Sequence, residues 1–172
     1  MEAQEKVWER IAPEWHEFKT TASEAATEFL KNSKGKILDF GSGSGRNLLK
    51  IRSSKKRDLY LVDFSKEMLK LAKKRAKEKG IEIKTIVSKL EKTSLKDNFF
   101  DAAICVAVLH CIETKQKRTN ALKELLRVLK PGAKAEIEVW NKKSKRFEKS
   151  PKEKFVRWRD KGKRFYYLYE EK

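Results

Sequence analysis

Cysteine, proline and glycine are all scarce in this chain. Its 172 residues include two Cys, three Pro and seven Gly. Two cysteines cannot build a disulfide framework, which excludes a small secreted scaffold and points to a reducing, cytoplasmic setting. Cys105, His110 and Cys111 lack zinc-ligand spacing, and Cys111 has no proline beside it, so both cysteines read as small core residues and no metal is expected. Long apolar runs are missing as well. The longest, residues 102–109, covers eight positions, against the roughly 20 that a membrane-spanning helix needs. The opening Met-Glu-Ala-Gln-Glu is acidic and polar, unlike a secretory signal. A membrane partner is therefore not expected.

Charge, by contrast, is abundant and lopsided. There are 43 Lys+Arg and 25 Asp+Glu, a net charge of +18. A surface rich in Lys and Glu also suits adaptation to heat. The distribution argues for more than that, because residues 142–164 hold twelve basic and three acidic side chains, half of the net charge. Aromatic residues interleave them: Phe147, Phe155, Trp158, Phe165, Tyr166, Tyr167 and Tyr169. Cations bind phosphates and exposed rings stack on unpaired bases, so a nucleic-acid partner is expected here. Lys152, Lys154, Arg157, Trp158, Arg159 and Tyr166 are the candidate contacts. The alternative for Arg157, Trp158 and Tyr166 is packing of a hairpin onto the rest of the domain.

The length suits one domain spanning 1–172. Val7, Trp8, Ile11 and Trp15 have helical spacing over residues 1–15, with a break expected near Pro13. Ser23 caps a second helix over 24–30. Apolar, β-branched runs mark strands over 36–40, 58–62, 81–87, 101–106 and 134–140, and helices are expected over 46–51, 66–79 and 114–129, with Pro131-Gly132 ending the last. Alternating strands and helices give a Rossmann-like α/β fold, a mostly parallel sheet with helices on both faces. Residues 1–31 precede it as a helical segment. Residues 141–172 follow it as a basic, aromatic segment, expected to fold as a hairpin about residues 160–163.

In such sheets ligands bind at the carboxyl ends of the strands. The first strand runs into Asp39-Phe-Gly41-Ser-Gly43-Ser-Gly45. A dinucleotide fingerprint starting at Gly41 needs glycine at position 46, which is Arg46. A carboxylate two residues before the first glycine gives nothing to a pyrophosphate, but suits a cofactor with an ammonium group. Asp63 ends the second strand 18 residues after Gly45 and can accept hydrogen bonds from ribose hydroxyls. A nucleoside carrying a cationic amino-acid tail is S-adenosylmethionine. Its expected site comprises Asp39, Gly41, Ser42, Gly43, Gly45, Asp63, Phe64, Leu90 and Val106.

Residues 37–45, 62–65 and 129–132 resemble the first motif, the second-strand acid and the turn before the fifth strand of class I methyltransferases. That superfamily often carries an acid against the adenine amino group, and Lys89 occupies its place. Lysine cannot accept that hydrogen bond. A backbone group, Glu91, or apolar walls including Leu90 remain as candidates. More closely, residues 7–12 with Trp15 and Lys19, residues 103–110, Val139-Trp140, residues 156–158 and residues 164–169 are similar to segments of the tRNA wobble-uridine 5-carboxymethyl methyltransferases. The family continues further, so the chain reads as a short form, as an archaeal or thermophilic member would be. The resemblance implies that tRNA is the substrate and that a 5-carboxymethyluridine is methyl-esterified at the wobble position. It implies an acceptor pocket of His110, Lys19 and Arg164, with Lys19 standing where the family has arginine and Tyr167 where it has histidine. It also implies a small zinc-binding activator subunit on a sheet edge, residues 81–87. Trp8 and Trp15 are expected to form a lid over the cofactor, with ordinary helix packing as the alternative. The rival readings are a quinone or metabolite methyltransferase and a cofactor-binding module that mainly holds RNA or a partner.

Overall fold

The computed structural model describes residues 2–171, so Met1, where the first helix is expected to begin, lies outside them. Five strands form one parallel sheet: β1 (Gly35–Phe40), β2 (Arg57–Asp63), β3 (Ile83–Val87), β4 (Phe100–Val106) and β5 (Leu129–Glu138). Their order is β3-β2-β1-β4-β5, which leaves β3 at one edge as the family resemblance implies. The side-chain period of two sorts the core onto the sheet's two faces. Ile37, Leu59, Leu61 and Ile104 pack with Ala26 and Leu30 of α2 (Glu24–Asn32) and with Leu69, Ala72 and Ala76 of α3 (Lys66–Glu78). Leu38, Phe40, Val62, Ala103 and Cys105 pack with Ala121, Leu125 and Val128 of α4 (Lys115–Val128). All three helices start on a capping hydroxyl. Ser23 accepts from Ala26 N at 3.2 Å, Ser65 from Met68 N at 3.0 Å and Thr114 from Lys117 N at 3.2 Å, each serving a backbone donor with no partner inside the helix.

Two segments outside the sheet close over its carboxyl end. α1 (Gln4–Phe18) buries Val7, Ile11 and Ala12. β6 (Glu153–Arg157) and β7 (Lys163–Tyr167) form the expected antiparallel hairpin. Gln4 joins the two segments: its Oε1 accepts from Phe165 N at 2.8 Å, and its Nε2 donates to Lys163 O at 3.1 Å. At the other end, Tyr169 N donates to Trp140 O at 2.9 Å, and Lys142 N donates to Tyr169 O at 2.8 Å, tethering the hairpin beside β5.

Three expectations need correction. No break occurs at Pro13, because α1 continues to Phe18. Proline removes a single backbone donor, and the edge-on packing of Trp15 and Phe18 against Trp158 holds the following turn in place. Residues 46–51 form a short 3-10 helix, Arg46–Lys50, entered from Gly45 at φ 71°, instead of a full α-helix. β5 begins at Leu129, before Pro131-Gly132. It pairs Phe100 with Leu129 and then Ala102 with Lys134, so the proline and glycine bulge out of a continuing ladder. Among the described residues no helix is long and apolar enough to cross a membrane.

Candidate active site

A cleft opens where β1, β2 and β4 end, beneath α1. It holds about 1310 Å³ of space, solvent mouth included. Glycine builds its floor. Gly41 N and Ser42 N both donate to Val62 O, at 2.8 and 3.0 Å, which folds the chain back over β2. Gly41 has φ +82°, and a Cβ there would come within 2.6 Å of both Val108 methyl carbons and 3.2 Å of Leu90. A side chain at this position would fill the cradle. Gly43 N donates to Asp63 Oδ2 at 2.9 Å and Ser65 N to Asp63 Oδ1 at 2.9 Å, which fixes that carboxylate at the edge of the cleft.

Two buried carboxyl groups flank this turn. Burial pushes Asp39 up to about 7, against a hydrogen bond from Asn47 and the charge of Arg46. Burial also raises Asp63 to about 6, opposed by the amides of Ser65 and Gly43. Asp39 lies one layer behind the wall, and Asn47, which lines the cleft, donates from Nδ2 to its Oδ2 at 3.3 Å. Asp39 Oδ1 and Asn47 Oδ1 are both buried without a hydrogen-bond partner. Buried acceptors without donors are costly. Here they fit a ligand that brings N–H groups and positive charge, as the ammonium of S-adenosylmethionine does, so the residues present suit that cofactor.

Cations and aromatic rings furnish the opposite end. His110 follows β4 in a 3-10 turn, Leu109–Cys111, and is 1% exposed. Its ring stacks on Trp140 at 4.5 Å, and its Nδ1 accepts from Trp140 N at 3.3 Å, which leaves Nε2 as the protonated, donating nitrogen. Burial, with Arg46 and Lys19 nearby, lowers His110 to about 3, so it stays neutral. Trp140 stacks in turn on Tyr166 at 4.4 Å. Arg164 is buried behind this wall. It donates to the Tyr166 hydroxyl at 2.5 Å, and its guanidinium lies 4.7 Å from the Trp158 ring and 5.0 Å from the Trp15 ring. Among the described residues none of Lys19, Arg46 and Arg164 forms an ion pair with a carboxylate. Lys19 lies below its ordinary value because it is partly buried and faces Arg46, Arg146 and Arg164.

The cleft thus gathers Gly41, Ser42, Gly43, Asp63, Phe64, Leu90 and Val106 with Lys19 and His110. Asp39, Gly45 and Arg164 stand behind its lining. Trp8 and Trp15 of α1 face it from above. Tyr166 is on its wall at 1% exposure, not on the outer surface. Trp158 packs on α1, edge-on to Trp15 and Phe18, and its Nε1 donates to Glu14 Oε2 at 2.7 Å. Lys152, Arg157 and Arg159 are exposed and Lys154 is half-buried. Lys152 pairs with Glu170 at 3.1 Å and Arg159 with Glu14 at 3.3 Å. Sequence reasoning misses Arg46, Asn47 and Trp140. The first two directly follow Gly45, so the helical turn after a glycine loop was the available signal. Nothing local marks Trp140 as the ring that carries His110.

Residues 37–132 match the family described as a methyltransferase domain. Over 147 residues the chain is 32% identical to probable tRNA methyltransferase 9B of Mus musculus, covering 83% of this chain and 31% of that protein. It is 31% identical over 139 residues to a tRNA (carboxymethyluridine(34)-5-O)-methyltransferase of Arabidopsis thaliana, covering 78% and 32%. The chain therefore spans about a third of the length of these curated relatives. The crystal structure of a SAM-dependent methyltransferase from Methanosarcina mazei shares the fold, with a TM-score of 0.73 at 22% identity over 87% of this chain and 80% of that one.

Proposed function

The chain belongs to the family of S-adenosylmethionine-dependent methyltransferase domains, and from that premise we propose that it esterifies the carboxylate of a 5-carboxymethyl-type uridine at the wobble position of tRNA. The glycine turn, Asn47 and Asp39 would hold the amino-acid part of the cofactor, and Asp63 the ribose. When bound, the cofactor supplies a methyl group made electrophilic by a sulfonium.

One observation carries the choice of acceptor. Lys19, Arg46 and Arg164 gather about the cleft's far end, and among the described residues none of them is ion-paired with a carboxylate. Cations removed from water are costly unless paired, so an incoming carboxylate is stabilised there. A carboxylate is already ionised at pH 7 and needs no general base, which agrees with a histidine held near neutrality of charge. The contribution of the chain is alignment and fixed charge. His110 donates from Nε2 to the acceptor. Tyr166, whose oxygen accepts from Arg164, has its own O–H free to do the same. The basic hairpin, with Lys152, Lys154, Arg157 and Arg159, supports a polyanionic substrate. The β3 edge, where Val87 is 52% exposed, leaves a strand available to an activator subunit.

The test is mass spectrometry of nucleosides from tRNA incubated with the protein and S-adenosylmethionine. A methyl ester on a uridine side chain supports the proposal. Methyl groups found on a ring nitrogen, or on a quinone supplied in competition and not on tRNA, would refute it.

A further inference from the structure

Which end of the cleft takes the adenine follows from the order of the strands. His110 and Trp140 stand at the ends of β4 and β5, and Asp63 at the end of β2. With the reacting groups on the β4–β5 side and the ribose acid at β2, the base lies towards β3, the opposite edge. Phe64, Lys89 and Leu90 line the cleft there. Adenine presents an exocyclic amino group, two N–H donors that need an acceptor. Lys89, in the loop leaving β3, offers donors and no acceptor.

The acceptor comes from the lid. Glu5, in the first turn of α1, reaches down to the cleft wall, where its Oε1 pairs with Lys89 Nζ at 2.6 Å. Lys89 also holds Glu5 below its ordinary value, as a carboxylate. Lys89 is the one side chain among the described residues that donates to Glu5, and that bond goes to Oε1; with its own backbone amide as the further donor, the carboxylate keeps lone pairs for a ligand. Its backbone position is fixed by its neighbour, since Gln4 makes two hydrogen bonds to β7 main chain. The other carboxylates on the cleft are less suited. Asp63 is engaged by two amides at the ribose position. Glu113 follows β4, on the reacting side. Glu91 has nothing among the described hydrogen bonds to aim it. We propose that Glu5, carried by α1 and aimed by Lys89, accepts the adenine amino group, so that the base is read by the lid and not by the strand end beneath it.

The inference concerns the donor cofactor and does not depend on what accepts the methyl group. Calorimetry without any tRNA tests it, using S-adenosylhomocysteine and S-inosylhomocysteine, in which a carbonyl replaces the amino group. The wild-type protein is expected to prefer the adenosyl ligand by about tenfold or more, the scale of a hydrogen bond to a charged group. Glu5→Gln, whose amide can also donate to the carbonyl, should shrink that preference to about threefold or less. Glu91→Gln should leave it intact. The proposal is overturned by no wild-type preference, by no binding of either ligand, by a preference abolished in Glu91→Gln, or by a preference that survives Glu5→Gln; survival with equal loss of both ligands would make Glu5 a latch without a base contact. The wild-type comparison stands whether or not a variant folds.

Discussion

Replacing Asp39 by asparagine should stabilise the empty protein and at the same time weaken its hold on the cofactor. The reason is the carboxyl group's burial, which raises it from 3.8 to about 7. The folded state then keeps a proton that the unfolded chain has released, so stability falls as pH rises from about 4 to about 7 and the cost is complete above that range. About three pKa units at 1.36 kcal/mol each make this roughly 4 kcal/mol at pH 8, and the same linkage leaves about 2 kcal/mol at pH 5. Other groups titrate over this span. Asp63, raised to about 6, acts in the same direction, and His110, lowered to about 3, opposes it because its unfolded form gains a proton below pH 6.5. These contributions cancel when Asp39→Asn is compared with wild type at each pH. The advantage of the variant should therefore grow by about 2–3 kcal/mol between pH 5 and pH 8, which is about 5–10 °C in melting temperature for a domain of this size. Thermal melts of both proteins at the two pH values measure it. With S-adenosylhomocysteine present the ranking should reverse, because the ligand's ammonium stabilises the ionised Asp39 and the variant lacks that charge. A melting difference that is the same at pH 5 and pH 8, or an undiminished response of the variant to the ligand, would refute the reasoning.

Other outcomes follow from the same geometry. His110→Ala should lower turnover about 100-fold, the cost of removing one donor aimed at developing charge, with the affinity for S-adenosylhomocysteine unchanged; wild-type kcat at saturating ligands should show no inflection from His110 between pH 5 and pH 8, since it loses its proton near 3. Gly41→Ala forces a Cβ to 2.6 Å from Val108 at a positive φ. Loss of about 2 kcal/mol or more in urea unfolding is expected, partly restored by adding Val108→Ala. Reversing the charge of Lys152, Lys154, Arg157 and Arg159 should weaken tRNA binding and flatten its salt dependence by roughly 0.7–0.9 per lost phosphate contact, while calorimetric cofactor binding stays as in wild type.

The sheet was readable from the sequence because its signals are local. Alternating residues such as Ile37 and Leu38 face opposite sides, Ser23 caps a helix, and Gly41 to Gly45 mark the turn. What escaped depends on distant partners. Pro13 reads as a helix stop, yet Trp158, 145 positions along the chain, packs on the turn that follows it. Pro131-Gly132 reads as a boundary, yet strand pairing on both sides carries it as a bulge. The aromatic residues of the hairpin look like an exposed stacking surface by composition. Tyr166 instead stacks on Trp140 inside the cleft, and Trp158 braces α1. Asp39 is visible as an acid beside glycines, but its place behind Asn47 requires the three-dimensional turn to be seen.

Labelled-methyl transfer to a matched pair of tRNAs, one bearing 5-carboxymethyluridine at the wobble position and one bearing plain uridine there, is the most direct trial of the proposed reaction. Label should enter the first tRNA alone, and mild alkali should release it as methanol, as for an ester. Equal labelling of both tRNAs, or label that withstands alkali, would contradict a carboxylate acceptor.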